Sequence, residues 1–186
     1  MDRCKVDVWT LALETPRPTL LSPDEQARAA RFRFDRDRLR WANARSALRS
    51  ILAEQLQHDP LGICFALGPH GKPAIEQLEF NLSHSGGFAM VAVSRDVPVG
   101  IDLEQIRESV EIAKLLGRLG EPNQNGSLEE LFHRWTRREA KSKALGIPLM
   151  QAPQGDLRVV DLTAPHGFAA SLALAACDPD IRYHAI

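Results

Sequence analysis

The chain has 186 residues and a formal net charge of −1, from 23 Lys+Arg against 24 Asp+Glu. That length suits one domain or two small ones, and it buries a real core without disulfides or a structural metal. With 44% apolar and 25% charged residues, the composition excludes collagen-like, disulfide-scaffold and wholly disordered chains.

Residues 6–13 are apolar and β-prone and predict a first strand, closed by Pro16 and Pro18. Ser22-Pro23-Asp24-Glu25 supplies a capping side chain, a proline at the first helical position and early acids, so a helix starts there. Apolar residues recur at near-helical spacing from there to about Gln57, with a break expected around Phe34. This region holds eight arginines between Arg28 and Arg49 against Asp35 and Asp37, a local charge of +6. By contrast, residues 96–130 hold eight acids against Arg107, Lys114 and Arg118. A net charge near zero therefore does not argue against an anionic partner.

Residues 60–72 read as loop and short strand, with Gly71-Lys72-Pro73 as a turn presenting a lysine. Residues 80–85 and 88–94 predict two strands joined at Gly86-Gly87, and residues 99–103 a third. Residues 106–119 predict a helix and 120–126 a loop; residues 128–145 predict a further helix, stopped by Gly146 and Pro148. Short strands are expected at 157–162, 168–175 and 182–185. The alternation lacks a strict βαβ rhythm and predicts an α+β fold.

Cys4, Cys64 and Cys177 are odd in number, widely spaced and in no C-x-x-C arrangement, which predicts reduced thiols in a cytoplasmic protein. Asp2, Asp7 and Glu14 interrupt the first apolar stretch, so no signal peptide is expected. No apolar run approaches the ~18 residues of a membrane span, so no membrane is expected as partner.

Three constellations suggest chemistry. In Val99-Gly100-Ile101-Asp102-Leu103-Glu104, strand geometry puts Asp102 and Glu104 on one face, about 6.6 Å apart along the strand. Two such carboxylates suit Mg²⁺ beside phosphate oxygens; alone, they better suit the exposed face of an amphipathic strand. In Trp135-Thr136-Arg137-Arg138-Glu139-Ala140-Lys141-Ser142-Lys143, Trp135, Glu139 and Lys143 share a helical face. They offer a metal ligand or base and a phosphate-binding cation, or else a surface ion pair over a core tryptophan. In Asn81-Leu82-Ser83-His84-Ser85-Gly86-Gly87, Ser83 and His84 precede a glycine turn whose amides can face a phosphate. The rival is a structural histidine; a serine nucleophile is disfavoured because no G-x-S-x-G elbow is present.

All three occur in one chain, in order and downstream of Gly71-Lys72-Pro73, and together they closely resemble the surfactin-type 4′-phosphopantetheinyl transferases over residues 20–146. The resemblance implies a pseudo-dimer of two similar α+β halves, each a small antiparallel sheet on a long helix, divided as residues 1–97 and 98–186. It implies transfer of the 4′-phosphopantetheine arm of coenzyme A to a serine of an acyl or peptidyl carrier protein, releasing 3′,5′-ADP. It implies Mg²⁺, with Mn²⁺ as a substitute, held by Asp102, Glu104 and Glu139. Lys72, Ser83, His84 and Lys143 match coenzyme-contacting positions, and Asp102, Glu139 and Lys143 are the expected catalytic set. Arg28, Arg40 and Arg45, with Arg31 and Arg49, are candidate contacts for coenzyme phosphates or the acidic carrier surface. A monomer is expected.

This chain departs from the family in three places. Arg138 stands where the family usually has lysine, residues 115–127 lack the usual aromatic pattern, and the part after Gly146 is short. These departures motivate a rival reading, a catalytically silent binder of coenzyme A or a nucleotide. A nucleic-acid module built on the arginine region leaves the three acids unexplained, because acids repel a polyanion, so no nucleic acid is expected.

Overall fold

In a computed structural model, which describes residues 3–68, 70–108, 111–121, 125–175 and 177–186, the chain folds as α+β. The elements are β1 (Arg3–Ala12), α1 (Pro23–Ala29), α2 (Asp35–Leu56), β2 (Ala66–Leu67), β3 (Pro73–Ala74), β4 (Glu79–Ser85), β5 (Phe88–Ser94), β6 (Val99–Gln105), α3 (Ile112–Arg118), α4 (Leu128–Leu145), β7 (Leu157–Asp161), β8 (Phe168–Ala175) and β9 (Asp178–Ala185). The helix starts follow local chemistry. Ser22 and Ser127 each form a capping box with a glutamate three residues on, Glu25 and Glu130. Gly146 ends α4 in the left-handed conformation, φ 63°. Phe34 breaks α1 from α2 by adopting an extended backbone at the N-cap of α2.

One sheet has the order β4-β5-β1-β9 and another the order β6-β8-β7. The connectivity β1, α2, hairpin β4–β5 is traced again as β6, α4, hairpin β7–β8, and in each case the second hairpin strand pairs antiparallel with the first strand. The expected boundary at residue 97 falls between β5 and β6. Beyond that, β9 returns to pair in parallel with β1, so the first sheet is mixed where an antiparallel sheet was expected.

Alternation along the strands builds four layers. Trp9, Leu11, Ala89, Val91 and Val93 bury against Ala44, Leu48, Ile51 and Leu52 of α2. From the opposite faces of the same strands, Val6, Val8, Met90 and Ala92 meet Val99, Ile101, Leu103, Leu172 and Leu174 of the second sheet. Helix α4 covers the second sheet's far side through Ala140 and Ala144, which pack on Ala173 of β8. Both faces of β5 are thus apolar over residues 88–93, as expected of a strand covered on both sides.

Two expectations are corrected. Helix is confined to Ile112–Arg118 of the expected 106–119, because Ile106 extends the strand and donates its N–H to the Gly167 carbonyl; residues 109 and 110 of that expected helix lie outside the described residues. The loop expected at 120–126 likewise lies outside them at 122–124. Cys4 and Cys177 form a disulfide with Cα atoms 6.0 Å apart, because the β1–β9 pairing brings Arg3 beside Asp178. Only Cys64 is a free thiol, so cysteine spacing gives no argument for a reducing compartment. No helix among the described residues is long and apolar enough to cross a membrane.

Candidate active site

Gly100 determines how the site is built. A Cβ there would lie 2.2 Å from the Ala140 carbonyl oxygen and 2.3 Å from the Ala144 nitrogen, so only glycine lets α4 lie directly on β6. On β6, Val99, Ile101 and Leu103 enter the inter-sheet core, leaving Gly100, Asp102 and Glu104 to the other face. On α4, Thr136, Ala140 and Ala144 are buried at four-residue spacing. The neighbouring stripe of Trp135, Glu139 and Lys143 is half-buried and is thereby carried over Asp102.

Asp102 is 2% exposed. Its Oδ1 accepts from Lys143 Nζ at 2.6 Å and from the Ser83 hydroxyl at 2.9 Å, while its Oδ2 is buried without a hydrogen-bond partner. Glu104 Oε2 accepts from the Ser85 hydroxyl at 2.7 Å. Desolvation raises the Glu139 pKa; the Asp102 and Glu104 charges raise it further and Lys143 opposes them. Glu104 is raised by desolvation and by Asp102, against the Ser85 hydrogen bond and the Lys143 and Arg107 charges.

This donor set suits a hard divalent cation. Three carboxylates share one space at a cost that a cation would relieve, and one buried carboxylate oxygen has no partner. Among the described residues no group of three His, Cys, Asp or Glu is placed so that it could hold a metal ion as it stands; on Asp102, Lys143 supplies the positive charge.

Next to the acids, a cavity of about 660 Å³ is lined by Arg28, Trp41, Arg45, Phe65, Leu82 and His84. Leu82 and His84 of β4 reach it while Ser83 and Ser85 turn to β6, so one strand serves both places. Arg28 lies over the Trp41 ring, 5.3 Å from its centroid, and Arg45 lies 3.7 Å over Phe65. Loss of solvent and then the Lys143 ammonium push the His84 pKa down, leaving a neutral imidazole at pH 7.

Glu25 organises the arginines. It is bound by Arg45 and by Arg49 Nε at 2.7 Å, and Arg49 also donates to the Pro60 and Ile63 carbonyls at 2.8 and 2.9 Å. Burial raises the Glu25 pKa, but the hydrogen bonds from Arg49, Ser22 N–H and Arg45 outweigh it and hold the carboxyl below its ordinary 4.5. Glu25→Gln leaves two enclosed guanidiniums without a counter-charge, an expected loss of about 3–5 kcal/mol by thermal unfolding at pH 7. With the folded pKa depressed, the ionised carboxylate contributes its stability in full above about pH 4.5 and loses it as pH falls through the folded value. The gap between wild type and Glu25→Gln should therefore narrow on acidification below that pH; a pH-independent gap refutes the charge argument.

The expected coenzyme contacts divide. Arg28, Arg45 and His84 line one cavity. Arg40 instead pairs with Glu14 in a separate cavity of about 760 Å³ beside Leu21, Ala29 and Leu39. The Lys72 ammonium donates to the main-chain carbonyls of Val99 and Lys143, at 3.1 and 2.9 Å, and so ties the β2–β3 turn to β6 and α4. Arg138 turns away from the acids to Glu121 and the carbonyls of Leu149 and Gln151. Glu25, Ser85 and Gly100 were not among the expected site residues. Small polar residues at 81, 83 and 85, alternating with Phe80, Leu82 and His84, were the available signal for Ser85.

Residues 8–96 match the family model described as 4′-phosphopantetheinyl transferase, N-terminal. The 4′-phosphopantetheinyl transferase HetI of Nostoc is 36% identical, across 76% of this chain and 69% of its own length. The chain belongs to the 4′-phosphopantetheinyl transferase family. A Bacillus pumilus 4′-phosphopantetheinyl transferase is 32% identical across 78% of this chain and 71% of its own. A putative 4′-phosphopantetheinyl transferase of Synechocystis is 34% identical across 75% of this chain; the match spans 64% of that relative's length. The family model covers β1 to β5 and the cavity's cations; Asp102, Glu104, Glu139 and Lys143 lie beyond it.

Proposed function

We propose that this chain transfers the 4′-phosphopantetheine arm of coenzyme A to a serine of an acyl or peptidyl carrier protein and releases 3′,5′-ADP, with Mg²⁺ as cofactor. The observation that carries this reading is the convergence of Asp102, Glu104, Glu139 and Lys143 beside a cavity lined by Arg28, Arg45 and His84. Asp102, Glu104 and Glu139 would hold the metal ion. When bound, the ion supplies positive charge beside the pyrophosphate, the main requirement of such a transfer.

The chain's own groups do the rest. Arg28 and Arg45, backed by Trp41 and Phe65, suit the phosphates and base of the nucleotide end. Lys143 donates to pyrophosphate oxygens. The carrier serine oxygen forms the new bond to phosphorus, the bond from that phosphorus to 3′,5′-ADP breaks, and Glu139 takes the serine proton. Without metal its pKa is raised by burial and by the neighbouring acids; beside a bound cation it would fall, keeping the carboxylate form that a base requires. The rival reading of a silent binder drew on Arg138, whose side chain points away from the acids.

The test is intact-mass analysis of several apo carrier proteins incubated with the protein, coenzyme A and Mg²⁺. The expected gain is one phosphopantetheine arm per carrier, and no gain across carriers of fatty acid, polyketide and peptide synthesis overturns the proposal. Glu139→Gln should slow transfer by about 10²- to 10⁴-fold while still binding coenzyme A by calorimetry.

A further inference from the structure

β6 is an edge strand of its sheet, and its outward N–H groups need acceptors. β4 provides them from side chains. Ile101 N–H donates to Asn81 Oδ1 at 2.9 Å, Leu103 N–H to Ser83 Oγ at 3.2 Å and Gln105 N–H to Ser85 Oγ at 3.1 Å. The offset is 20 residues at every step, so the two strands run alongside in the same direction and the period of two is common to both.

Each serine hydroxyl in turn donates a hydrogen bond to the carboxylate of the residue just before the N–H it accepts: Ser83 to Asp102 Oδ1 at 2.9 Å, Ser85 to Glu104 Oε2 at 2.7 Å. Ser83 Oγ also accepts from Lys143 Nζ at 3.1 Å. One donor and two acceptor positions are all a hydroxyl has, so Ser83 has no proton left for a coenzyme phosphate.

We propose that Ser83 and Ser85 are positioning residues through which β4 fixes Asp102 and Glu104 in the orientation that receives a divalent cation, leaving His84, on the strand's other face, to the coenzyme. The proposal rests on the reading of Asp102, Glu104 and Glu139 as metal ligands. A carboxylate held by a hydroxyl that is itself anchored to the main chain loses little freedom on binding, and partners of this kind typically control metal affinity 10- to 100-fold.

The experiment titrates Mn²⁺ alone into the full chain, reading free Mn²⁺ by electron paramagnetic resonance, and separately measures coenzyme A binding by calorimetry without metal. Ser83→Ala and Ser85→Ala should each weaken Mn²⁺ binding about 10- to 100-fold and leave metal-free coenzyme A affinity unchanged. Ser85→Ala should cause no further loss in a Glu104→Gln background. Wild-type Mn²⁺ affinity in the serine variants overturns the proposal, as does a loss of metal-free coenzyme A affinity in Ser83→Ala, which would make that hydroxyl a coenzyme contact. If Ser83→Ala does not fold, Ser85→Ala decides alone. If Asp102→Asn binds Mn²⁺ as well as wild type, the metal-site reading fails and takes this proposal with it. If Asp102→Asn loses the ion while the serine variants keep it, the positioning role alone is overturned.

Discussion

Asp102→Asn is expected to slow phosphopantetheine transfer by more than about 100-fold, beyond the loss typical of an outer-shell partner, while moving the melting temperature little. The new amide keeps an oxygen to accept from the Ser83 hydroxyl, so the β4–β6 contact survives. It cannot supply the negative charge that a divalent ion needs, and the partnerless Oδ2 of Asp102 is lost as a donor. Lys143 loses its counter-charge, but its side chain is 28% exposed and water can solvate it, so the stability cost of breaking the pair is small. Removing the Asp102 charge also relieves repulsion on Glu139 and Glu104, whose pKa values should move down toward the ordinary carboxylate range. The acid limb of any residual activity should therefore shift to lower pH. Rates by intact mass, thermal unfolding by circular dichroism and a pH profile check all three. Retained transfer in a folded variant removes Asp102 from the metal site, and a large fall in melting temperature makes its role structural.

The sequence pattern announces those parts of the molecule that local chemistry dictates. The start and stop of α4 follow from Ser127, Glu130 and Gly146, and the β4–β5 hairpin from Gly86, which adopts φ 55°. The spacing of Asp102 to Glu104 and of Glu139 to Lys143 follows from strand and helix periods, so the acidic cluster was legible too. What stayed hidden depends on contacts between distant segments. The Cys4–Cys177 disulfide bridges a sequence separation of 173 residues and depends on β9 returning to β1. How the arginines are disposed depends on where acids happen to lie: Glu14 holds Arg40 in a separate cavity, and Glu25 holds both Arg45 and Arg49 at the wall of the one that His84 lines. Lys72, expected at a phosphate, instead satisfies two carbonyls at the junction of β6 and α4.

Gly100→Ala should combine a fall in stability with an approximately 100-fold loss of transfer, although the residue carries no functional group. The added methyl would sit 2.2 Å from the Ala140 oxygen, 2.3 Å from the Ala144 nitrogen and 2.9 Å from the Ala144 Cα. All three are main-chain atoms of α4, so no side-chain rotation makes room and the helix itself must move outward by about 1 Å. Forced overpacking of this kind costs about 1–3 kcal/mol. Glu139 and Lys143 travel with the helix, whereas Asp102 and Glu104 stay with β6, so the shift falls on the distance between the two halves of the site. Misplacement of reacting groups by about 1 Å can cost about 100-fold. Combining Gly100→Ala with Ala144→Gly removes a Cβ but leaves all three clashing main-chain atoms in place, so it should recover little of the stability or the activity. Thermal unfolding and intact-mass rates decide the matter: full activity in a stable Gly100→Ala protein would show that α4 does not need this close approach to present Glu139 and Lys143.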